Sequence, residues 1–482
     1  MAHLGLVGIG VMGREFALNL AENGHSVSLL DRTPAKAEAV VAAGAELPGD
    51  LFAFADVVDF VASLPVPRSV LVLVPSGGPL DSVVEMLSPV LTEGDLIADL
   101  GNSYYKETER RVSECEAKGL MFLGMGISGG AEGARHGPSI MAGGSQASWD
   151  RVKAPLQDTS AKFDGAPCCD WFGPGGAGHF IKMMHNGIEY ADMQMIAEAY
   201  GMMRDGWRMS AAECGEVFAG WMDGPLNSYL VEIAAEVARA EDPETGAPML
   251  DLISDKAGQK GTGLWTAMSS LEVGCPAPTI AQAVYARSIS SFKELRVQAS
   301  TTLSGPETLS LSSDEKQAYI KQLHDAIYCA KICAYAQGFQ LMKLAAKEHG
   351  WTLNFANIAK IWRAGCIIRA TFLQSITQAF DRNDELDNLL LDDFFAQQLS
   401  ERQLNWRKAV CGATMFGIPN GALSSALTYY DSMRSETLPA NLLQGQRDFF
   451  GAHTFERVDK ADGKKYHVQW STPERKTVVI GE

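Results

Sequence analysis

Residues 177–204 read AGHFIKMMHNGIEYADMQMIAEAYGMMR, and the rest of the chain is organised around them. The stretch has no proline, is rich in Ala, Met and Ile, and follows a glycine-rich turn, so it predicts one long helix. On such a helix Lys182 and Glu189 share a face, about 10 Å apart along the axis. His185 and Asn186 lie between them on that face. An amine, an imidazole, an amide and a carboxylate therefore form one stripe.

Two interpretations of this stripe are open. It is either a solvated face with a charge pair, or a set of ionisable groups inside an otherwise apolar, buried segment. Ionisable groups in such surroundings are seldom there for stability, and their pKa values can be tuned. The stripe is thus a candidate acid–base pair, Lys182 with Glu189.

Composition limits the classes of function. A chain of 482 residues suggests two or three domains. The net charge of −17 argues against nucleic acid or an anionic membrane as a partner. Nine irregularly spaced cysteines fit no disulfide or zinc pattern and favour a reducing cytoplasm. We expect no signal peptide and no membrane-spanning segment.

The N-terminal stretch predicts a dinucleotide site. An apolar strand runs into Gly8, Gly10 and Gly13, a helix follows, and a second strand (26–30) ends at the acidic Asp31. These glycines let the backbone approach a pyrophosphate at a helix N-terminus. The alternative is a structural tight turn.

Strand and helix patterns continue to alternate, with strands predicted at 69–74, 95–100 and 120–125. Ligands bind beyond the carboxyl ends of such strands, which places 75–77, Asn102 and the predicted loop 126–131 on the ligand side. Ser128, Gly129 and Gly130 form either an anion-binding nest or an ordinary flexible loop.

From residue 177 to about 435 the pattern is helical, and it contains an internal similarity. Residues 185–193 align with 324–332, sharing His, Ile and Ala, and Tyr328 stands where the first copy has Glu189. We predict a duplicated helical unit whose chemistry resides in the first copy.

Further candidates lie outside the helix. The loop 255–265 carries Lys260 and Thr262 and is either a phosphate or carboxylate contact or a solvated linker. Arg287, in an apolar helix, pairs either with an internal carboxylate or with an anionic ligand. After residue 435, Arg447 and His453 stand among aromatic residues. The remaining tail (459–482) has little periodicity and many Lys, Asp and Gly residues, so it cannot make a core alone and either frays or packs on another surface.

Together these motifs resemble 6-phosphogluconate dehydrogenase of the pentose phosphate pathway, over essentially the whole chain. The resemblance rests on six stretches: 8–13 (GIGVMG), 101–103 (GNS), 127–135 (ISGGAEGAR), 178–190 (GHFIKMMHNGIEY), 260–262 (KGT) and 446–453 (QRDFFGAH). The glycine fingerprint is common to many dehydrogenases, whereas the stretches at 182–190 and 447–453 are specific to this family.

The resemblance implies NADP-dependent oxidative decarboxylation of 6-phospho-D-gluconate to ribulose 5-phosphate. Lys182 would be the base and Glu189 the acid, and no metal would be needed. Substrate would be held by Asn102, Ser128, Gly129, Gly130, His185, Asn186, Tyr190, Lys260, Thr262, Arg287, Arg447 and His453. Cofactor would be held by Gly8, Ile9, Gly10, Val11, Met12, Gly13, Asp31, Arg32, Thr33, Val74, Pro75, Ser76 and Asn102.

Two positions depart from the family pattern. Asp31 stands where an Asn is usual, and Pro75 stands where a Lys is frequent. A carboxylate at this place repels a 2′-phosphate and favours NAD, whereas Arg32 and Thr33 favour NADP. We expect NADP, with NAD also possible.

The predicted fold is an α/β Rossmann-like dinucleotide-binding domain (1–176), a large all-α catalytic and dimerisation domain (177–435), and a C-terminal tail (436–482). The resemblance further implies a homodimer whose active site is shared, each tail reaching the partner subunit. Two other functions remain open: a shorter β-hydroxyacid dehydrogenase, such as one for 3-hydroxyisobutyrate, and a dinucleotide-binding protein without catalysis.

Overall fold

A computed structural model of the chain describes residues 2–306, 312–460 and 462–480. The chain ends included in the predicted first and last domains, residues 1 and 481–482, lie outside this part. The strands are β1 His3–Val7, β2 Ser26–Leu30, β3 Leu51–Phe54, β4 Ser69–Val72, β5 Leu96–Asp99, β6 Met121–Ser128, β7 Ser139–Gly144, β8 Lys162–Phe163, β9 Ala166–Pro167, β10 Cys169–Trp171, β11 Tyr466–Val468 and β12 Thr477–Val479.

The helices of the first 176 residues are α1 Val11–Glu22, α2 Pro34–Ala43, α3 Val57–Ala62, α4 Gly78–Leu87, α5 Tyr105–Glu116, α6 Gly130–His136 and α7 Gln146–Thr159. The later ones are α8 Ala177–Gly201, α9 Ala211–Trp221, α10 Tyr229–Arg239, α11 Met249–Leu252, α12 Thr262–Glu272, α13 Pro278–Ser291, α14 Lys293–Ser300, α15 Ser313–His349, α16 Phe355–Ile361, α17 Phe372–Arg382, α18 Asp393–Met415, α19 Gly421–Met433 and α20 Ala440–Gly451.

One sheet organises the N-terminal part, in the order β3-β2-β1-β4-β5-β6-β7-β10. The strands from β3 to β6 are parallel. Strand β7 is antiparallel to β6, and β10 is parallel to β7. The order of the first six strands is that of a doubly wound dinucleotide-binding fold, which reverses direction between β1 and β4. The prediction of a Rossmann-like sheet followed by a large helical part is therefore confirmed.

The predicted loop at 126–131 is wrong in part. Strand β6 continues to Ser128 because β7 pairs with it as far as Ser139, and helix α6 begins at Gly130. The turn between them is short, and Gly129 and Gly130 both have positive φ angles (119° and 65°), which glycine tolerates without strain.

The predicted long helix is present as α8, and its last turn continues as a π-helix over Met202–Gly206. Helix α8 packs against β6 and β7 on one side and against α12, α13 and α15 on others. Almost all of its residues from Ala177 to Ile188 are buried. Chemistry-bearing side chains on this helix therefore sit between the sheet and the helical part.

The chain divides into two compact units, Met1–Leu427 and Thr428–Glu482. The second unit contains α20 and the β11–β12 hairpin, which composition did not predict. Asp448, fully buried, accepts hydrogen bonds from Thr454 N, His467 Nδ1, Val468 N and Trp470 Nε1 at 2.9–3.1 Å. The unit is thus organised around one carboxylate. The predicted boundaries at 176 and 435, and the duplication of the helical unit, stay predictions.

Candidate active site

Helix α8 lies directly on a strip of glycines in the sheet. Added Cβ atoms at Gly124 and Gly126 would come within 2.7 Å of His179 Nδ1 and 2.2 Å of Lys182 Cγ. At the crossing with β7, a Cβ at Gly178 would lie 2.4 Å from Gly143 N. Every second residue of β6 thus lies against every third residue of α8. The pairs are Gly124 with His179, Gly126 with Lys182, and Ser128 with His185.

Lys182 is buried, and only 4% of its surface is exposed. Its Nζ donates to Asn186 Oδ1 at 2.6 Å and lies 3.4 Å from His185 Nδ1. Burial lowers the pKa of this amine from its ordinary value, while the charge of Glu189 acts in the opposite direction. An amine in this position is biased toward its neutral, basic form.

Asn186 links the helix to the start of α12. Its Oδ1 accepts from Lys182, and its Nδ2 donates to Thr262 Oγ1 at 3.1 Å. Close packing of the two helices depends on two glycines: a Cβ at Gly187 would meet Thr266 at 2.4 Å, and one at Gly263 would meet the Tyr190 ring at 2.3 Å. Thr262, predicted from a loop motif, is therefore part of the Lys182 environment.

His185 and Glu189 complete the stripe. Ser128 Oγ lies 3.2 Å from His185 Nε2, and His185 Nδ1 lies 3.6 Å from Glu189 Oε2. Burial holds the pKa of His185 well below its ordinary value, so the imidazole is neutral near pH 7. Burial also raises the pKa of Glu189, an effect that Lys182 and Arg287 oppose and Asp192 reinforces. The carboxyl is biased toward its acid form.

Arg287 stacks on Tyr190 at 3.5 Å from the ring centroid and donates to the carbonyl of Gly258 at 3.0 Å. This contact joins helix α13 to the exposed loop that carries Lys260. Asp255, in the same loop, binds Lys293 and Arg296 of α14 at 2.7 and 2.8 Å. A cationic group thus lies beside the far end of the stripe.

A segment that sequence reasoning missed also reaches the site. Ile367 N donates to Ser128 Oγ at 3.4 Å, and Gly365 O accepts from Ser139 N at 2.8 Å. Burial raises the pKa of the Cys366 thiol to about 12, so the thiol is neutral near pH 7. No local pattern points to these residues, because they reach Lys182 only through the packing of the helical part on the sheet.

Asn102 is exposed between two residues that Asp99 holds in place. Gly101 N and Ser103 Oγ both donate to this buried carboxylate, at 2.9 and 2.5 Å. His179 Nε2 lies 3.7 Å from Asp99 Oδ2. The predicted Asn102 loop and the helix of Lys182 are therefore joined through buried groups.

The glycine loop between β1 and α1 fits a dinucleotide. A Cβ at Gly8 would meet Leu73 O at 2.5 Å, and one at Gly13 would meet Gly8 O at 2.0 Å. A Cβ added at Gly10, the N-cap of α1, would meet no atom of the described residues within 4 Å. The outer glycines permit the turn and the helix packing, and the middle one leaves room for a pyrophosphate.

Both oxygens of the Asp31 carboxylate already accept hydrogen bonds in this region. Its two oxygens accept from Ile9 N at 2.8 Å and Thr33 N at 2.9 Å, and Lys36 Nζ lies 3.8 Å away. Arg32 is exposed next to it, and the Val74, Pro75 and Ser76 segment follows β4 at the same sheet edge.

Arg447 and His453 belong to the second compact unit, and both are exposed. Arg447 Nη1 donates to Gln444 Oε1 at 3.0 Å, and His453 contacts the Phe450 ring. Their predicted part in substrate binding stays a prediction.

The sheet order, the glycine loop at its reversal point and the buried lysine on the helix beyond define a dinucleotide-dependent dehydrogenase with a Rossmann-like domain. Two family models match this chain: the NAD binding domain of 6-phosphogluconate dehydrogenase at residues 3–173, and its C-terminal domain at 178–470. The chain belongs to the 6-phosphogluconate dehydrogenase family.

Individual relatives agree over the full length. The decarboxylating 6-phosphogluconate dehydrogenase of Synechococcus elongatus is 49% identical over 98% of this chain and 99% of its own. The NADP(+)-dependent decarboxylating enzyme of Bacillus subtilis is 47% identical over 97% and 98%. A solved structure of the Plasmodium falciparum 6-phosphogluconate dehydrogenase, studied with NADP+ and with 6-phosphogluconate, has a TM-score of 0.92 and 39% identity, covering 97% of this chain and all of that one.

Proposed function

We propose that this chain catalyses the oxidative decarboxylation of 6-phospho-D-gluconate to D-ribulose 5-phosphate and CO2 with NADP. The observation that carries the proposal is the buried Lys182–Asn186–Thr262 contact chain with Glu189 on the same helix face, in a chain of this family. Full-length relatives of this chain carry that activity in their names.

Each acid–base step has a residue suited to it. Neutral Lys182 takes the proton of the 3-hydroxyl, and the resulting ammonium polarises the 3-keto oxygen while CO2 leaves. Glu189, in its acid form, gives a proton to C1 of the enediol, which yields ribulose 5-phosphate. NADP, when bound, would accept the hydride that leaves C3. The opposite effects of burial on the amine and the carboxyl prepare both groups in their reactive forms.

Substrate binding uses groups of two chemical kinds. The carboxylate and hydroxyls are held by Asn102, Ser128, Gly129, Gly130, His185 and Asn186. The phosphate is held by Tyr190, Lys260, Thr262, Arg287, Arg447 and His453, where the guanidinium groups allow bidentate contact. Arg287 must then exchange the Gly258 carbonyl for a phosphate oxygen.

The cofactor is NADP, held by 8–13, 31–33, 74–76 and Asn102. The Asp31 carboxylate is directed at backbone N–H groups and faces Lys36, which reduces its repulsion of a 2′-phosphate, while Arg32 supplies a cation there. NAD remains a weaker alternative cofactor.

We further propose a homodimer with a shared site. Helix α12 exposes an apolar stripe at helical spacing, formed by Leu264, Met268 and Leu271. Helix α13 and its C-cap residue expose a second one, formed by Tyr285, Ile289 and Phe292. Exposed apolar side chains also occur in the second unit, at Leu442, Leu443, Phe449 and Phe450. Surfaces of this kind mark protein–protein interfaces, and a two-fold dimer covers each with its equivalent.

No helix of the described residues is long and apolar enough to cross a membrane. All nine cysteines are unpaired, and eight are buried, which supports the proposal of a cytoplasmic enzyme.

The proposed function is tested by measuring the reduction of NADP and of NAD from the absorbance of the reduced nicotinamide. Each cofactor is assayed with 6-phosphogluconate and with 3-hydroxyisobutyrate, and CO2 release is measured in parallel. We expect turnover of 6-phosphogluconate with release of one CO2 per NADPH. Turnover of 3-hydroxyisobutyrate alone, or of neither substrate, would contradict the proposal in favour of one of the two alternatives.

A further inference from the structure

A buried ion pair joins helix α8 to helix α15 beyond the active-site stripe. Lys331 Nζ donates to Asp192 Oδ2 at 2.5 Å, and the two side chains are only 1% and 2% exposed. Removing two charges from water costs more than such a pair usually returns, so a buried pair is weak evidence of a stabilising role. We therefore expect this ion pair to have a role other than stabilisation.

The position of Asp192 indicates a role toward Glu189. It follows Glu189 by three residues, so the two carboxyl side chains are neighbours on the helix surface. Along the axis it is about 4.5 Å from Glu189 but about 15 Å from Lys182. Its second oxygen, Oδ1, is buried and has no hydrogen-bond partner within the described part of the chain. A carboxylate charge that is incompletely compensated thus lies beside the proposed acid.

The other charged and titratable groups around Glu189 come from several elements. They are Lys182 and His185 on α8, Arg287 on α13, Lys331 and Tyr335 on α15, and Cys366 in the segment after α16. Lys182 and Arg287 favour an ionised Glu189, and Asp192 opposes them. Lys331, on the facing helix α15, contacts Asp192 Oδ2, and the charge of Asp192 acts on Glu189.

We propose that Asp192, paired with Lys331, is a positioning residue that keeps Glu189 in its acid form. The inference rests on the proposed function, in which Glu189 must carry the proton that it gives to C1. A negative charge at Asp192 makes a second negative charge at Glu189 less favourable, and Lys331 is the counter-ion that a buried carboxylate requires.

The test measures kcat against pH for the full-length enzyme with 6-phosphogluconate and NADP. The alkaline limb of the profile is assigned to Glu189 by its disappearance in Glu189→Gln. We expect this limb to move to lower pH by about one unit, the scale of a close charge effect, in two variants: Asp192→Asn and the double variant Asp192→Asn/Lys331→Met. Each removes the negative charge beside Glu189.

Conservative variants provide the matched controls. Asp192→Glu and Lys331→Arg keep both charges and should keep the wild-type limb, as should the exposed-site variants Asp205→Asn and Lys321→Met. The acid limb should stay in place throughout, because Lys182 is remote from Asp192.

The double variant separates this proposal from a structural role. The double variant removes both charges together and leaves neither charge buried without its partner, so a purely structural pair predicts a wild-type profile in the double variant. An alkaline limb at the wild-type pH in that variant would overturn the proposal even if a single variant fails to fold. Absence of 6-phosphogluconate turnover in the wild type would instead contradict the proposed function.

Discussion

The environment of Lys182 shows how one physical effect prepares two groups. Burial disfavours charge, so it lowers the pKa of the amine and raises that of the Glu189 carboxyl on the same helix. Their mutual attraction works against both shifts. The 2.6 Å contact from Lys182 to Asn186 fixes the amine without supplying a counter-ion.

At this scale the first prediction concerns the two groups themselves. Lys182→Met and Glu189→Gln should each lower kcat by at least ~100-fold, the usual contribution of general acid–base groups. Lys321→Met, on an exposed part of α15, serves as the control and should be unaffected. Steady-state kinetics together with thermal unfolding would check this, and near-normal kcat in either active-site variant contradicts the assignment.

A second residue-scale prediction concerns cofactor choice. Asp31→Asn should raise kcat/KM for NADP relative to NAD, because it removes like-charge repulsion of the 2′-phosphate. Arg32→Ala should lower the same ratio. The Asn amide can still accept one of the hydrogen bonds from Ile9 N and Thr33 N, so folding should be retained. An unchanged ratio in both variants would place the adenosine site elsewhere.

At the scale of elements, the crossing of α8 over β6 depends on glycine. Every second residue of the strand faces the helix, and Gly124 and Gly126 leave room for the His179 and Lys182 side chains. Any larger residue there forces the helix away from the sheet. The strand therefore sets the depth at which the amine is buried.

Gly126→Ala tests this dependence. A Cβ would lie 2.2 Å from Lys182 Cγ, so we expect a loss of about 1–3 kcal/mol in the free energy of unfolding, typical of overpacking, and a lower kcat. Gly220→Ala is the matched control because open space surrounds that glycine in α9. It should be neutral or stabilising by up to about 1 kcal/mol, measured by denaturant unfolding.

We expect the contribution of Asp448 to the stability of the second unit to depend on pH. Burial would raise the pKa of Asp448, but its hydrogen bonds with Val468, His467 and Trp470 hold it below the ordinary value of 3.8. The stabilisation is therefore present above pH 3.8 and is lost as pH falls through the lower folded-state pKa. At pH 7, Asp448→Asn should speed hydrogen exchange of residues 462–470 but not of α8. Equal protection of the segment in both proteins at pH 7 would contradict this role.

At the scale of the whole molecule, the exposed apolar stripes of α12 and α13 are the observation on which the homodimer proposal rests. Leu271 is 79% exposed and Phe292 58%. The homodimer proposal gives these surfaces a partner. It also gives Arg447 and His453 a route to a site on another copy of the chain.

Complementation between variants tests the shared site. Lys182→Ala and Arg447→Ala chains, each nearly inactive, are unfolded together and refolded as a mixture. If tails cross, mixed dimers hold one doubly defective site and one intact site, and activity should recover to about a quarter of the wild type by symmetry. Background activity in a mixture shown to contain mixed dimers would mean that each tail serves its own subunit.

The sequence by itself determined the features that depend on local periodicity. The spacing of Gly8, Gly10 and Gly13 after an apolar strand predicts the turn, and the 3.6-residue period places Lys182, His185, Asn186 and Glu189 on one face. The alternation of strand and helix patterns likewise predicts the α/β class of the first domain.

Only the tertiary structure decided which distant residues surround that face. Strand β6 extends to Ser128 because β7, further along the chain, pairs with it. Ile367 reaches Ser128 over 239 residues, and Asp192 meets Lys331 over 139. The internal alignment placed Asp192 and Lys331 at equivalent positions, yet nothing local indicated their contact. Contacts of this separation are fixed by how whole elements pack, because burial and the pairing of charges depend on surfaces that the chain brings together only when it folds.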